Sequence, residues 1–183
     1  MSTATLITAE EYATMSFDRP VELVRGEIIE LTNPGGQHGL ICVNLSFELK
    51  LWIRDGAPYR VVSNDSGVQT QRAPDSVRGP DLLVIHQVKL PDGKVQVGHF
   101  TTPPDVAIEV RSPTDRWPGV IAKTGEFLSS GVGEVWVIDP DHRRVHVFRL
   151  HDEPTILNIH DVLSSPLLPG FRCAVIDLFE GGV

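Results

Sequence analysis

The stretch Asp105-Val106-Ala107-Ile108-Glu109-Val110-Arg111-Ser112-Pro113 decides the reading of this chain. Its apolar run reads as a buried strand, and Ser112-Pro113 ends it. Glu109 stands inside that run. An ionised carboxylate in such a place is costly unless it is paired or holds a cation. A second apolar run, Pro80-Asp81-Leu82-Leu83-Val84-Ile85, carries Asp81 at its entrance. Side chains alternate faces along a strand. Glu109 therefore shares a face with Asp105, Ala107 and Arg111, and Asp81 shares one with Leu83 and Ile85. With the two strands side by side, both carboxylates meet at one end of a sheet.

The segments around this pair predict an α/β chain. Thr8-Ala9-Glu10-Glu11 is a capping box that opens a short helix over 9–15. Runs at 21–24 and 28–32 flank Arg25-Gly26-Glu27 as a hairpin. After the loop Asn33-Pro34-Gly35-Gly36, apolar residues from Leu40 to Ile53 recur at helical spacing and predict a helix over 37–54. Strands are expected at 59–63, 67–71, 81–86, 94–99 and 105–111. Pro118 and Gly131 bracket a further helix. Strands at 134–138 and 145–150 follow, then a short helix at 160–163 and a closing segment at 171–179 that is partly strand. Regular strand–helix alternation is absent, which argues against a doubly wound fold.

At 183 residues, with 41% hydrophobic and 22% charged residues, a single domain over 1–183 is expected. The opening Met-Ser-Thr-Ala-Thr lacks the basic and apolar regions of a signal peptide. No run approaches the ~20 apolar residues of a membrane span. Cys42 and Cys173 are isolated among apolar residues and read as buried thiols of a reducing, cytoplasmic compartment. The net charge of -8 counts against a broad electrostatic footprint on nucleic acid, since phosphate contacts need Lys and Arg. It leaves room for a local basic groove, and it suits acidic residues gathered round a cation.

Few residues carry chemistry. Hard cations such as magnesium take oxygen ligands, commonly one or two carboxylates with waters. A cation held by Asp81 and Glu109 would polarise a phosphate and lower the pKa of water. A lysine nearby can offset charge on the phosphorus oxygens. Lys123, on the helix opened by Pro118, is one candidate and Arg111 another. For Asp81 the alternative is a turn cap after Gly79-Pro80. Pro-Asp recurs five times, at Pro74, Pro80, Pro91, Pro104 and Pro140, so the dipeptide alone decides nothing. For Glu109 the alternative is a pair with Arg111 or another base, and for Lys123 a solvated helix face. His38, beside Gly35-Gly36, is either a site residue or a bystander in a first helical turn. Glu22, within Val21-Glu22-Leu23-Val24, is either a site carboxylate or an exposed position on an edge hairpin. His142 and His146 lack a third partner for zinc. No nucleophile elbow, P-loop or dinucleotide fingerprint occurs.

Several segments together resemble a known family. They are Glu22-Leu23-Val24-Arg25-Gly26-Glu27-Ile28, His38, Gly79-Pro80-Asp81-Leu82-Leu83-Val84, and Ile108-Glu109-Val110-Arg111-Ser112-Pro113-Thr114-Asp115-Arg116. Lys123, Phe127, Gly131-Val132, Glu134-Val135-Trp136 and Asp139-Pro140 extend the pattern. Over about residues 8–179 the chain is similar to the Uma-type putative restriction endonucleases, a domain of unknown function in the PD-(D/E)XK nuclease superfamily. The resemblance implies a restriction-endonuclease-like mixed central β-sheet flanked by helices. It implies Asp81 and Glu109 as ligands for Mg2+ or Mn2+ and Lys123 as the catalytic lysine, moved from the strand to the following helix. Glu22 and His38 match recurrent family positions and join them as site residues. Arg111 occupies the usual strand lysine position. Because an arginine stays protonated, it cannot shuttle protons. Phe127 stands where a tyrosine is frequent.

The expectation is therefore a magnesium-dependent endonuclease acting on phosphodiester bonds of DNA or another nucleic acid, with a homodimer as the expected assembly. The competing expectations are a non-catalytic nuclease-fold binding module and a metal-dependent hydrolase of small phosphoesters.

Overall fold

The computed structural model describes residues 6–182. Its centre is a six-stranded mixed sheet, in the order β10-β9-β8-β7-β6-β3. These strands are β3 (Tyr59–Ser63), β6 (Leu82–His86), β7 (Val106–Val110), β8 (Glu134–Asp139), β9 (Arg144–Phe148) and β10 (Thr155–Leu157). Only β7 and β8 run parallel. Their crossover is the helix α3 (Trp117–Ser129), as a parallel pair requires.

Alternation along the strands sorts side chains to two helices. Leu82, Val84, Val106, Ile108, Val110, Trp136 and Ile138 form one core with Ile41, Leu45 and Leu49 of α2 (Gly36–Arg54). Leu83, Ile85, Ala107, Val135 and Val137 form a second core with Phe127 and Leu128 of α3. Glu109 has the parity of Ala107, so its strand position aims it to the α3 side.

A second sheet, in the order β2-β1-β5-β4, contains β1 (Val21–Val24), β2 (Glu27–Glu30), β4 (Val68–Gln71) and β5 (Ser76–Arg78). The β1–β2 turn places Arg25 at φ 51 and Gly26 at φ 80, a double left-handed turn that matches the twist of a hairpin. Ahead of it, α1 (Ala9–Tyr12) is closed by the expected reciprocal capping box of Thr8 and Glu11. The helix ends at Tyr12, earlier than the sequence predicts, where the chain bends off toward the hairpin. A short pair, β11 (Val162–Leu163) with β12 (Cys173–Ala174), covers the α2 side near the C-terminus.

Three readings of secondary structure change. Residues 94–99 are not a strand. Val97 is fully exposed, Gly98 sits at φ 95, and only Phe100 bridges to Val68. The Val95/Val97 alternation has no sheet to join. Residues 160–163 form no helix: Asp161 accepts from the Asn158 backbone N–H at 2.6 Å in a turn, and Val162 then pairs with Ala174. The three-residue strands β5 and β10 are too short to show periodicity.

Candidate active site

The β6–β7 ladder pairs Leu82 with Ile108 and then stops. One step further, its register sets Asp81 against Glu109. In place of a ladder bond, the Asp81 side chain takes over: its Oδ2 accepts from the Val110 backbone N–H at 2.6 Å. The two strand carboxylates thus meet at the sheet's end. They open into a cleft of ≈ 310 Å³, which Glu22, His38 and Lys123 also line. All five residues singled out from the sequence converge there.

Each is held by a different element. Lys123, in the second turn of α3, places Nζ 2.8 Å from Glu109 Oε1 and 3.0 Å from Glu22 Oε1. It also donates to the Gly79 carbonyl at 2.8 Å. Glu22 is not on an exposed edge. β1 lies between β2 and β5, and Glu22 is 3% exposed. Its Oε1 accepts from the Gly79 N–H at 2.8 Å. His38, in the first turns of α2, sets Nε2 3.1 Å from Asp81 Oδ1.

Gly79 binds the site through both its backbone groups, and it must be glycine. A Cβ there would lie 2.6 Å from the Asp65 carbonyl oxygen. That close approach brings Asp65, at φ 51 in the β3–β4 loop, to the cleft wall. Arg78 completes the wall. It reaches Glu22 Oε2 at 3.1 Å and Glu126 Oε2 at 3.2 Å.

The electrostatics follow from burial and crowding. Burial pushes the Glu109 carboxyl up to about 8, with Lys123 pulling the other way and Asp81 adding to the rise. Its buried Oε1 lies 2.8 Å from Lys123 Nζ. Burial works against the charge on Lys123, but Glu109 and Glu22 outweigh it and hold the ammonium above its usual range. Burial likewise opposes a charged His38. Asp81 and the Cys42 thiol overcome it and push the imidazole up to about 10. Asp65 is raised by burial and by Asp81. Glu22, Asp65, Asp81 and Glu109 face the inner cations Arg78 and Lys123. Carboxylate oxygens gathered in this way, with His38 as a third cation beside Arg78 and Lys123, are the donor type a hard divalent cation takes.

Arg111 lines the same cleft but is held away from Glu109 by its own partners. It pairs with Asp139 at 2.8 Å and with Asp141, and its guanidinium lies 5.8 Å from the Trp117 ring centre. The alternative pairing of Glu109 with Arg111 is absent, because Lys123 takes Glu109. His142 binds Asp139 at 2.7 Å, and His146 lies against Trp117. Cys173 is a buried free thiol, but Cys42 is only partly buried, and its Sγ lies 3.7 Å from His38 Nδ1.

Sequence reasoning missed Asp65, Arg78 and Cys42. Asp65 sits in a polar loop with no periodic signal, and Arg78 in a strand too short to read. Cys42 did carry a signal: it follows His38 by four residues, one turn along the same helix face.

A sheet with one parallel pair, helices on both faces and carboxylates at its end defines a restriction-endonuclease-like α/β protein. The model of the Uma2 family, described as putative restriction endonuclease, matches residues 9–176, and the chain belongs to this family. The fold is similar to that of a solved structure described as a putative nuclease belonging to DUF820 from Anabaena variabilis ATCC 29413. The TM-score is 0.80 at 23% identity, covering 94% of this chain and 97% of that one. No curated protein sequence matches the chain. Among the described residues, no helix is long and apolar enough to cross a membrane.

Proposed function

We propose that the chain is a single-domain, cytoplasmic endonuclease that hydrolyses phosphodiester bonds of DNA with Mg2+ or Mn2+. One observation carries this reading: Asp81, Glu109, Lys123, Glu22 and His38 line one cleft of a nuclease-family fold. Asp81 and Glu109 would hold the cation. When bound, it would supply Lewis-acid polarisation of the phosphate and a more acidic water. Asp81 is aligned for this by the Val110 N–H. Lys123 stays protonated between Glu109 and Glu22, so it acts as a charge and a donor toward phosphate oxygen rather than as a base. Glu22 holds Lys123 and Gly79 in place. His38, protonated beside Asp81 on the side opposite Val110, would serve the leaving oxygen as a proton donor. A homodimer would supply a second cleft for the second strand.

The test is cleavage of plasmid and single-stranded DNA by purified protein with Mg2+ or Mn2+. Wild type cuts, and Asp81→Ala loses cutting while keeping its circular dichroism. Equal cleavage by both proteins sinks the assignment. The charge of -8 favours a second reading, a nuclease-fold binding module without activity. Calorimetric titration with Mg2+ separates the two. Binding that Glu109→Ala abolishes supports the catalytic reading, and absence of binding supports the module.

A further inference from the structure

The cleft contains a ligand set that magnesium chemistry does not use. His38 and Cys42 are one helical turn apart on α2, and Asp81 faces them from the entrance of β6. One ligand atom from each of the three lies within 4.8 Å of the other two. The imidazole stands between its neighbours, with Nδ1 3.7 Å from Cys42 Sγ and Nε2 3.1 Å from Asp81 Oδ1. The His38 and Asp81 side chains are only 11% and 13% exposed, and Cys42 is packed against the α2 core. The helix therefore places two ligands and the entrance of the sheet places the third, and a metal between them would take one nitrogen of the His38 ring.

The donor types select the ion. Magnesium wants oxygen and has little use for a thiol. Imidazole and thiolate favour zinc and its borderline neighbours. Three protein ligands also leave a fourth position open toward the cleft, the pattern of a site that keeps contact with solvent. Binding would release the Cys42 thiol proton and the proton of the ligating His38 nitrogen to the buffer, leaving a thiolate and a neutral imidazole on the metal.

We propose that His38, Cys42 and Asp81 form a binding site for a divalent transition metal, zinc foremost, inside the cleft wall. Asp81 belongs to this set and to the proposed magnesium pair, so the two ions compete for its carboxylate. Zinc then withdraws Asp81 from Mg2+ and shuts off cleavage. That regulatory consequence rests on the nuclease reading, whereas the ligand set does not.

Cobalt(II) is the probe, because it fills zinc sites and reports sulfur ligation in its spectrum. Chelator-treated full-length protein is titrated with Co2+ and followed by absorption. One equivalent should produce a thiolate-to-cobalt charge-transfer band with intense tetrahedral visible bands, and Zn2+ should erase both. Cys42→Ser should lose the sulfur band and bind Co2+ at least about tenfold more weakly, on the scale of losing a ligand contact. Cys173→Ser should keep the band, and circular dichroism should show both variants folded. A wild type without the band, or a band that survives Cys42→Ser, overturns the site. Cleavage assays run in parallel keep the two claims apart. A cobalt band in a protein that never cuts DNA leaves the site standing and removes the nuclease reading. Mg2+-supported cleavage that one equivalent of Zn2+ does not inhibit, despite the band, overturns the shared role of Asp81.

Discussion

Two buried charge clusters lie at the same end of the sheet, and they are built on opposite plans. At β8, Arg111 is enclosed by Asp139 and Asp141, and His142 backs Asp139. Here one guanidinium and its carboxylates satisfy one another. At β7, the carboxylates crowd. Glu109, Glu22, Asp81 and Asp65 gather round Lys123, Arg78 and His38. The first cluster is a closed ion-pair network with nothing left to give a ligand. The second turns carboxylate oxygens toward an open cleft, the donor type that suits a hard cation. Two cations two strand positions or one helix away from Glu109 thus have different duties, and removing each should show it.

The largest effect on stability should follow Arg111→Met. It leaves Asp139, 2% exposed, without its cation. Breaking such a pair from one side costs about 3–5 kcal/mol. Urea titration should show that loss, while the folded fraction still cuts DNA within a few-fold of wild type. Lys123→Met should do the reverse. Glu109 already leans to its neutral form, so protonation can absorb the lost cation and unfolding should shift by only about 1–2 kcal/mol. Cleavage should drop roughly 10²–10³-fold, the scale for losing one preorganised donor. If Arg111→Met kills cleavage in folded protein while Lys123→Met cuts normally, the two clusters have been assigned the wrong way round.

The same contrast explains what could be read from the sequence. Glu109 was legible because a charge in an apolar run has so few explanations. Asp81 was legible as its partner once two adjacent strands were inferred, and the observed register sets it opposite. The assignment of the cation was not decidable from residue types. Arg111 has the correct strand parity for Glu109, but Asp139 and Asp141 come from a β8–β9 corner that only the sheet order brings near. Asp65 and Arg78 depend on the close packing of the β3–β4 loop on Gly79, a contact with no periodic trace. The long helix and main strands followed from periodicity. The 94–99 segment shows the limit of that signal, since alternation without a partner strand gives an exposed loop.

The clusters should also part on the pH scale, a smaller effect than either substitution. Glu109 and His38 are both raised in the fold, from 4.5 to about 8 and from 6.5 to about 10. The native state then binds more protons than the unfolded chain across that window. Stability from these groups is full below their unfolded values and is lost as pH rises through about 8 and then about 10. Asp139 is lowered from 3.8: burial would raise it, but Arg111 and His142 outweigh that. Its contribution is present above that ordinary value and is lost as pH falls below it. In chelator, Tm should therefore decline on both sides. Glu109→Gln should flatten the alkaline limb alone and Asp139→Asn the acid limb alone. Added Mg2+ should lift wild-type Tm most at high pH, where Glu109 is ionised, and should not lift Glu109→Gln. A Glu109→Gln profile that matches wild type on the alkaline side would break the account of that carboxylate.

The smallest effect belongs to Glu126, and it tests how far the open cluster extends. Glu126 touches neither strand carboxylate. It meets Arg78 at 3.2 Å with its side chain a quarter exposed, and Arg78 in turn meets Glu22 at 3.1 Å. Its own Oε2 makes no aligned hydrogen bond. Glu126→Gln keeps the shape and removes the charge. Screening by water limits the loss in stability to about 0.2–1 kcal/mol. Arg78 would then lean wholly on Glu22 and compete with Lys123 for its carboxylate. Cleavage should fall a few-fold in kcat with KM for DNA unchanged, since no group that meets substrate has moved out of reach. A change in KM with kcat intact would mean that Glu126 acts on the cleft mouth through Arg78 rather than on the lysine through Glu22.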